Sequence, residues 1–286
     1  MLSFSRKPVI PVLRFSGAIG MVTPLRPGLS LATAATALEK AFHISRAPAV
    51  AVAINSPGGS PVQSHLIYKR IRQLAEQKNK RVHVFCEDVA ASGGYFLALA
   101  GDEIYADPSS VIGSIGVISA GFGLHKAIER LGIERRVYTA GLSKGSLDPF
   151  LPERPEDVER LKALQRDVHD LFIGIVKERR AGKLNGLDGE LFSGAFWSGP
   201  RAHELGLIDG LGDLRSRMRE LYGDKVVLRV IPMERRGLIS RLTRSGSGEA
   251  PLGGLGGLAG GELGQTLADD LISAVETRAL WQRYGL

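Results

Sequence analysis

The chain has 286 residues, of which 44% are hydrophobic and 6% aromatic, and it carries a formal charge of +7. That is enough apolar sequence for one sizeable core. The single cysteine, Cys86, excludes a disulfide framework and a cysteine-built zinc site. Lys and Arg are spread along the chain with few aromatics between them, which argues against a nucleic-acid partner and leaves a membrane surface or an acidic partner open. No apolar run approaches the ~20 residues that span a bilayer, and the N-terminus lacks the apolar core of a signal peptide. The expected location is therefore the cytoplasm.

In chain order, "PVIPVLRFSGAIG" (8–20) is β-branched and bounded by Pro and Gly, which predicts a strand. "LATAATALEKAFH" (31–43) has helical spacing. "AVAVAINSPGG" (49–59) predicts a buried strand ending in a turn, and "PVQSHLIYKRIRQLAEQKN" (61–79) an amphipathic helix with Pro61 near its start. "RVHVFC" (81–86) is the next strand. Strands alternating with helices predict an α/β domain with a largely parallel sheet.

Beyond residue 106, "SSVIGSIGVISAGFG" (109–123) is apolar and punctuated by Gly. A helix is expected over 124–133, a strand over "ERRVYTAG" (134–141) and a loop over 143–150. A long helix follows over 155–180, with Pro155 in its first turn and Glu156 and Asp157 at its positive dipole end. Two more helices are expected within 192–223, and "KVVLRVIPM" (225–233) closes the core with a strand. Residues 245–261 hold 8 glycines in 17 positions and read as a flexible linker before a terminal helix. The expected division is a domain over 1–234 and a tail over 235–286. The basic stretch 233–244 suits a solvated helix, or a contact with an anionic membrane surface.

The chemistry of interest lies in "EDVAASGGYFLALAGDEIYA" (87–106), where a strand runs into a serine and two glycines and then a helix. The first turn of a helix exposes free backbone N–H groups, and glycine lets a substrate backbone come close. Ser92 is thus a candidate nucleophile. The N–H groups of Gly93 and of Gly59, in the turn "NSPGG", are candidates for converging on a developing oxyanion. Either turn alone is ordinary.

A serine nucleophile needs a base. None of the six histidines sits in a loop beside an obvious carboxylate, so each is read as structural. A lysine serves only if neutral, and free lysine, with a pKa of ~10.4, is on the order of one part in a thousand neutral at pH 7. Burial lowers that value. Lys144, between Ser143 and Gly145 in a Gly/Ser loop, is the best candidate, and Asp148 is expected to point away from it. Asp102 and Glu103 are adjacent and face different ways, so they read as structural. Asn55 is expected to bond backbone near its turn, and Trp197 and Trp281 to be packing anchors.

The motifs "INSPGGS", "EDVAASGGYFLALAGDEIYADPSSVIGSIGVI", "YTAGLSKGSLDPF" and "FSGAFWSGPRAHELGLIDGLGDL", in that order over about residues 8–220, resemble the signal peptide peptidase A (SppA) family of serine peptidases, of the ClpP/crotonase superfamily. The resemblance implies a repeated β-β-α core. It implies a dyad of Ser92 and Lys144, with Ser114 of "GSIGV" orienting the lysine and Gly59 and Gly93 forming the oxyanion hole. It also implies a peptide or protein substrate, such as signal-peptide remnants or other short or unfolded peptides, no cofactor, and assembly into a homo-oligomer. Many relatives carry an N-terminal membrane anchor, and this sequence is expected to have none; a peripheral contact at the inner face of the membrane stays open. Two rival readings are a crotonase-like enzyme acting on acyl-CoA and a non-catalytic scaffold of the same fold for membrane-associated proteins.

Overall fold

The computed structural model describes residues 7–20, 28–44, 46–141, 143–233, 275 and 278–286. The Gly-rich stretch, most of the expected tail and all but Met233 of the basic stretch lie outside the described residues.

The centre is a parallel sheet. β2 (Ala49–Ser56) pairs with β1 (Val9–Ser16) on one side and with β3 (Arg81–Ala91) on the other. β8 (Val227–Val230) joins the outer edge of β1. β3 splits its other edge. Its first half pairs with β4 (Glu103–Ala106) and its second half with β5 (Val111–Gly113). β4 in turn pairs with β7 (Gly210–Leu211). β5 makes the single antiparallel pairing among the described strands, with β6 (Phe196–Ser198).

β2 and the first half of β3 are buried on both faces, as parallel strands covered by helices must be. Alternate residues then feed two cores. Leu13, Phe15, Val50, Val52, Ile54 and Val84 face a large core with α1 (Leu31–His43), α2 (Pro61–Lys78), α3 (Gly93–Ala98) and α5 (Pro155–Arg179). Ile10, Val12, Ala51, Phe85 and Tyr105 face a smaller one, closed by Met218 of α8 (Leu214–Tyr222). α1 starts with a reciprocal capping box between Ser30 and Thr33. α2 starts with the Ser60 side chain accepting from Gln63 N–H and stops at Asn79, whose φ of 47° is left-handed.

Shorter helices complete the chain: α4 (His125–Arg130), α6 (Asp188–Leu191) and α7 (Gly199–Glu204). Residues 134–141, expected as a strand, form none. They are exposed and lie against no sheet edge, so their β-branched and aromatic side chains have no pleated surface to pack on. Two ionic clamps hold the far ends of the sheet. Asp102 accepts from Val82 N–H and pairs with Arg72 at 2.8 Å. Asp209 pairs with buried Arg180 at 2.7 Å and accepts from Ile104 N–H. Burial works against the Asp209 charge, but the hydrogen bonds from Arg180 and Lys183 outweigh it and hold the carboxyl below its ordinary range.

Candidate active site

Ser92 is the last residue before α3. Its φ of 52° and ψ of −121° match the first central position of a type II′ turn, which glycine normally fills. A serine held there costs of order 1–3 kcal/mol. Two neighbours fix it: its N–H donates to Gly113 O at 2.8 Å, and its own carbonyl accepts from Phe96 N–H at 2.9 Å. The hydroxyl makes no capping bond to the helix it precedes.

The turn Pro57–Gly59 packs onto this junction. A Cβ on Gly58 would lie 2.9 Å from both Gly93 N and Ser92 Cβ, and one on Gly93 would lie 3.3 Å from Gly59 N and 2.5 Å from Ser64 Oγ. Only glycine allows that approach. Ile19 holds the turn from the other side, donating to Gly58 O and accepting from Ser60 N–H, both at 2.8 Å. Ile19 thus pairs with Gly58 and Ser60 rather than with the Gly59 N–H, and Gly59 N lies beside Gly93. Gly93 is the first residue of α3, where no intrahelical acceptor exists. Among the described residues neither N–H has an acceptor. Two unclaimed donors and a free hydroxyl therefore meet at one spot, with the chemistry of an oxyanion hole beside a nucleophile.

Ser92, Gly93 and Gly59 open onto a pocket of about 160 Å³. α2 contributes Val62 and His65, α3 Phe96, and α5 Leu171 and Phe172. Sequence reasoning missed these lining residues, along with Gly58 and Ser64. The available signal was that α2 begins two residues after "PGG", which places its first turns at the site.

Ser114 lies one residue past β5, on the same rail. It too is left-handed, at φ 52°, and its N–H donates to Ala195 O at 2.7 Å. The residue is 5% exposed. His169 of α5 is 3.1 Å from Ile115 O and ties the segment after Ser114 to that helix, so it is structural, as read. Gly116 and Val117, just beyond, line the pocket.

Among the described residues Lys144 makes no hydrogen bond to Ser92. It sits exposed in a turn spanning 143–147, with its N–H donating to Gly141 O, and it does not line the pocket. Asp148 points away from it, as expected, pairing with Arg135 and accepting from Phe150 N–H. The segment carrying Lys144 exposes several large apolar side chains, including Ile118, Phe122, Ile133, Val137 and Tyr138. From the far end of the chain, Tyr284 reaches the site's rim. Its hydroxyl is 3.5 Å from Pro57 O and its ring meets Phe196 edge-on at 5.2 Å.

A family model for peptidase family S49 matches residues 74–227. The chain belongs to peptidase family S49. The matched range includes Ser92, Ser114 and Lys144; the Gly59 turn and His65 precede it. The chain is 57% identical over 282 residues to a Brucella abortus protein named "Na(+)/H(+) antiporter NhaA", covering 97% of this chain and 37% of that one. It is 34% identical over 238 residues to the putative protease slr0021 of Synechocystis, covering 81% and 79% of the two. Among solved structures, the 1510-N membrane-bound stomatin-specific protease, as a mutant in complex with a substrate peptide, has a TM-score of 0.51 at 18% identity, covering 83% of this chain and 99% of that one. That likeness concerns the fold, which is the ClpP-like α/β architecture of S49 proteases. The chain thus spans little more than a third of the Brucella relative. No helix among the described residues is long and apolar enough to cross a membrane.

Proposed function

We propose that this S49 chain is a serine endopeptidase acting on short or unfolded peptides, signal-peptide remnants among them. The observation that carries the reading is the junction at Ser92: a strained serine with a free hydroxyl, two unclaimed glycine N–H groups and an apolar pocket meeting at one point. Ser92 Oγ attacks the scissile carbonyl and neutral Lys144 takes its proton. The N–H groups of Gly59 and Gly93 hold the oxyanion. Lys144 returns the proton to the leaving amine, and water then releases the acyl group from Ser92. Ser114 orients Lys144. These steps call for no metal or organic cofactor.

A lysine acts as a base only where water is excluded from its ammonium, and Lys144 lies exposed on an apolar segment in the single chain. Homo-oligomerisation is the step that supplies this burial, and the exposed apolar side chains around Phe122 and Tyr138 are the surface it covers. The working place of the assembly is the cytoplasm, with a peripheral contact at the membrane's inner face.

The exposure of Lys144 in the single chain favours one second reading, a non-catalytic scaffold for membrane-associated proteins. Digestion of a diverse peptide library, read by mass spectrometry, separates the two. The peptidase reading expects cleavage that falls on the order of 10³-fold or more in Ser92→Ala. It expects Lys144→Arg to be as damaging as Lys144→Ala, because a guanidinium keeps its proton, and Ser114→Ala to cost less. Undiminished cleavage by Ser92→Ala ends it.

A further inference from the structure

The sequence groups His65 with the other histidines as structural. The structure instead places it in the wall of the pocket that Ser92 opens onto. The other lining side chains are aliphatic, aromatic, proline or the Ser92 hydroxyl, so among the described residues His65 is the one ionisable group there. Its ring lies against the apolar wall, 5.8 Å from the Phe96 ring at a tilt of 54° and 6.3 Å from Tyr68. A pocket of about 160 Å³ compares with the ~150 Å³ apolar cavity that accepts benzene. One leucine or phenylalanine side chain fills it.

We propose that His65 determines specificity: uncharged, it lets this pocket take an apolar substrate side chain, and protonated, it turns the pocket against apolar side chains and toward carboxylates. The inference rests on the serine-peptidase reading of the same site. Few charges act on the ring. Its own helix presents Lys69 and Tyr68. α3 presents Phe96, α5 presents Val168, Leu171 and Phe172, and the segment after Ser114 presents Gly116 and Val117, none of them charged. Burial, aided by Lys69, lowers the His65 pKa, so the neutral form prevails at pH 7 and the switch falls on the acid side. An imidazolium in an apolar wall disfavours an apolar occupant and attracts a carboxylate through a charge-assisted hydrogen bond.

Two readouts test this. In the first, an unfolded protein is digested at pH 8 and at pH 5, and residues flanking the cuts are scored as apolar or acidic. Both classes share the same nucleophile and base, so titration of the dyad cancels in their ratio. In the second, fluorescent Gly-Ser octapeptides bearing a single Leu or a single Glu are bound to the Ser92→Ala protein at both pH values, which needs no catalysis. The apolar-to-acidic ratio is expected to fall more than twofold between pH 8 and pH 5 with His65 present. It is expected to stay constant within twofold in His65→Phe and in His65→Gln, the second of which keeps a polar side chain. A constant ratio in the protein with His65, an equal fall in both variants, or no peptide binding at all overturns the proposal. A binding ratio that shifts without any cleavage supports the His65 assignment and overturns the peptidase reading alone.

Discussion

Replacing Ser92 separates chemistry from strain. Ser92→Ala keeps a Cβ, and with it the cost of a φ of 52°. Ser92→Gly removes both. The left-handed backbone costs a non-glycine residue of order 1–3 kcal/mol, while glycine gives back roughly 0.5–1 kcal/mol through a freer unfolded chain. The hydroxyl caps nothing, so its loss is nearly free in both variants. Ser92→Gly should therefore be more stable than Ser92→Ala by about 1 kcal/mol, and at least as stable as the serine protein. For a chain of this size that is roughly 2–4 °C in Tm. Equilibrium unfolding in urea measures it directly, and both variants should be equally inactive. If Ser92→Gly unfolds at lower urea than Ser92→Ala, the junction is not strained and the account of how Ser92 is presented fails.

Three further outcomes are expected. Gly58→Ala would push a Cβ to 2.9 Å from Gly93 N at a φ of 106°; peptide cleavage should fall about 10²-fold, and unchanged kcat/KM would remove the Gly58 approach from the site. Asp209→Ala leaves Arg180, whose side chain is 2% exposed, without its carboxylate. That should cost about 3–5 kcal/mol in urea unfolding, and a loss under 1 kcal/mol would refute the clamp. His83 is buried beside Tyr222 and Glu103, and burial draws its pKa below the ordinary 6.5, against the pull of Glu103. The unfolded chain therefore takes up this proton first, so stability present above pH 6.5 is lost as pH falls below it. Unfolding free energies at pH 7.5 and 5.5 should show a smaller drop in His83→Gln than in the original protein; an equal drop would assign the acid sensitivity elsewhere.

The sheet was legible because its central strands are buried on both faces, and such strands read as continuous apolar runs between helices of clear period. The Ser92–Gly93 junction and the Gly59 turn were legible for a related reason: each is a strand end where glycine is sterically required. "ERRVYTAG" misled because β-like composition says nothing about whether a partner strand is within reach. Lys144 was chosen for its sequence surroundings, but whether it meets Ser92 depends on where residues 117–150 lie, and local pattern does not encode that. His65 was passed over because helical period assigned it a face without saying that the face borders a pocket. Asp102 was judged structural from adjacency alone, and its bonds to Val82 and Arg72 agree.

The hydrogen bonds that hold Ser92 and Ser114 also set when this site can exist during synthesis. Ser92 N–H needs the carbonyl of Gly113, and Ser114 N–H needs that of Ala195, just before the strand that borders β5 in the antiparallel direction. The pocket's far wall comes from α5. A nascent chain that has passed Ser92 holds the serine, but neither the Gly113 carbonyl that its N–H bonds nor the α5 wall of the pocket. Over a hundred residues separate Ser92 from Ala195, several seconds of translation at about 5–20 residues per second. By this wiring the arrangement seen at Ser92 and Ser114 cannot be completed on the ribosome-bound chain until Ala195 has been made.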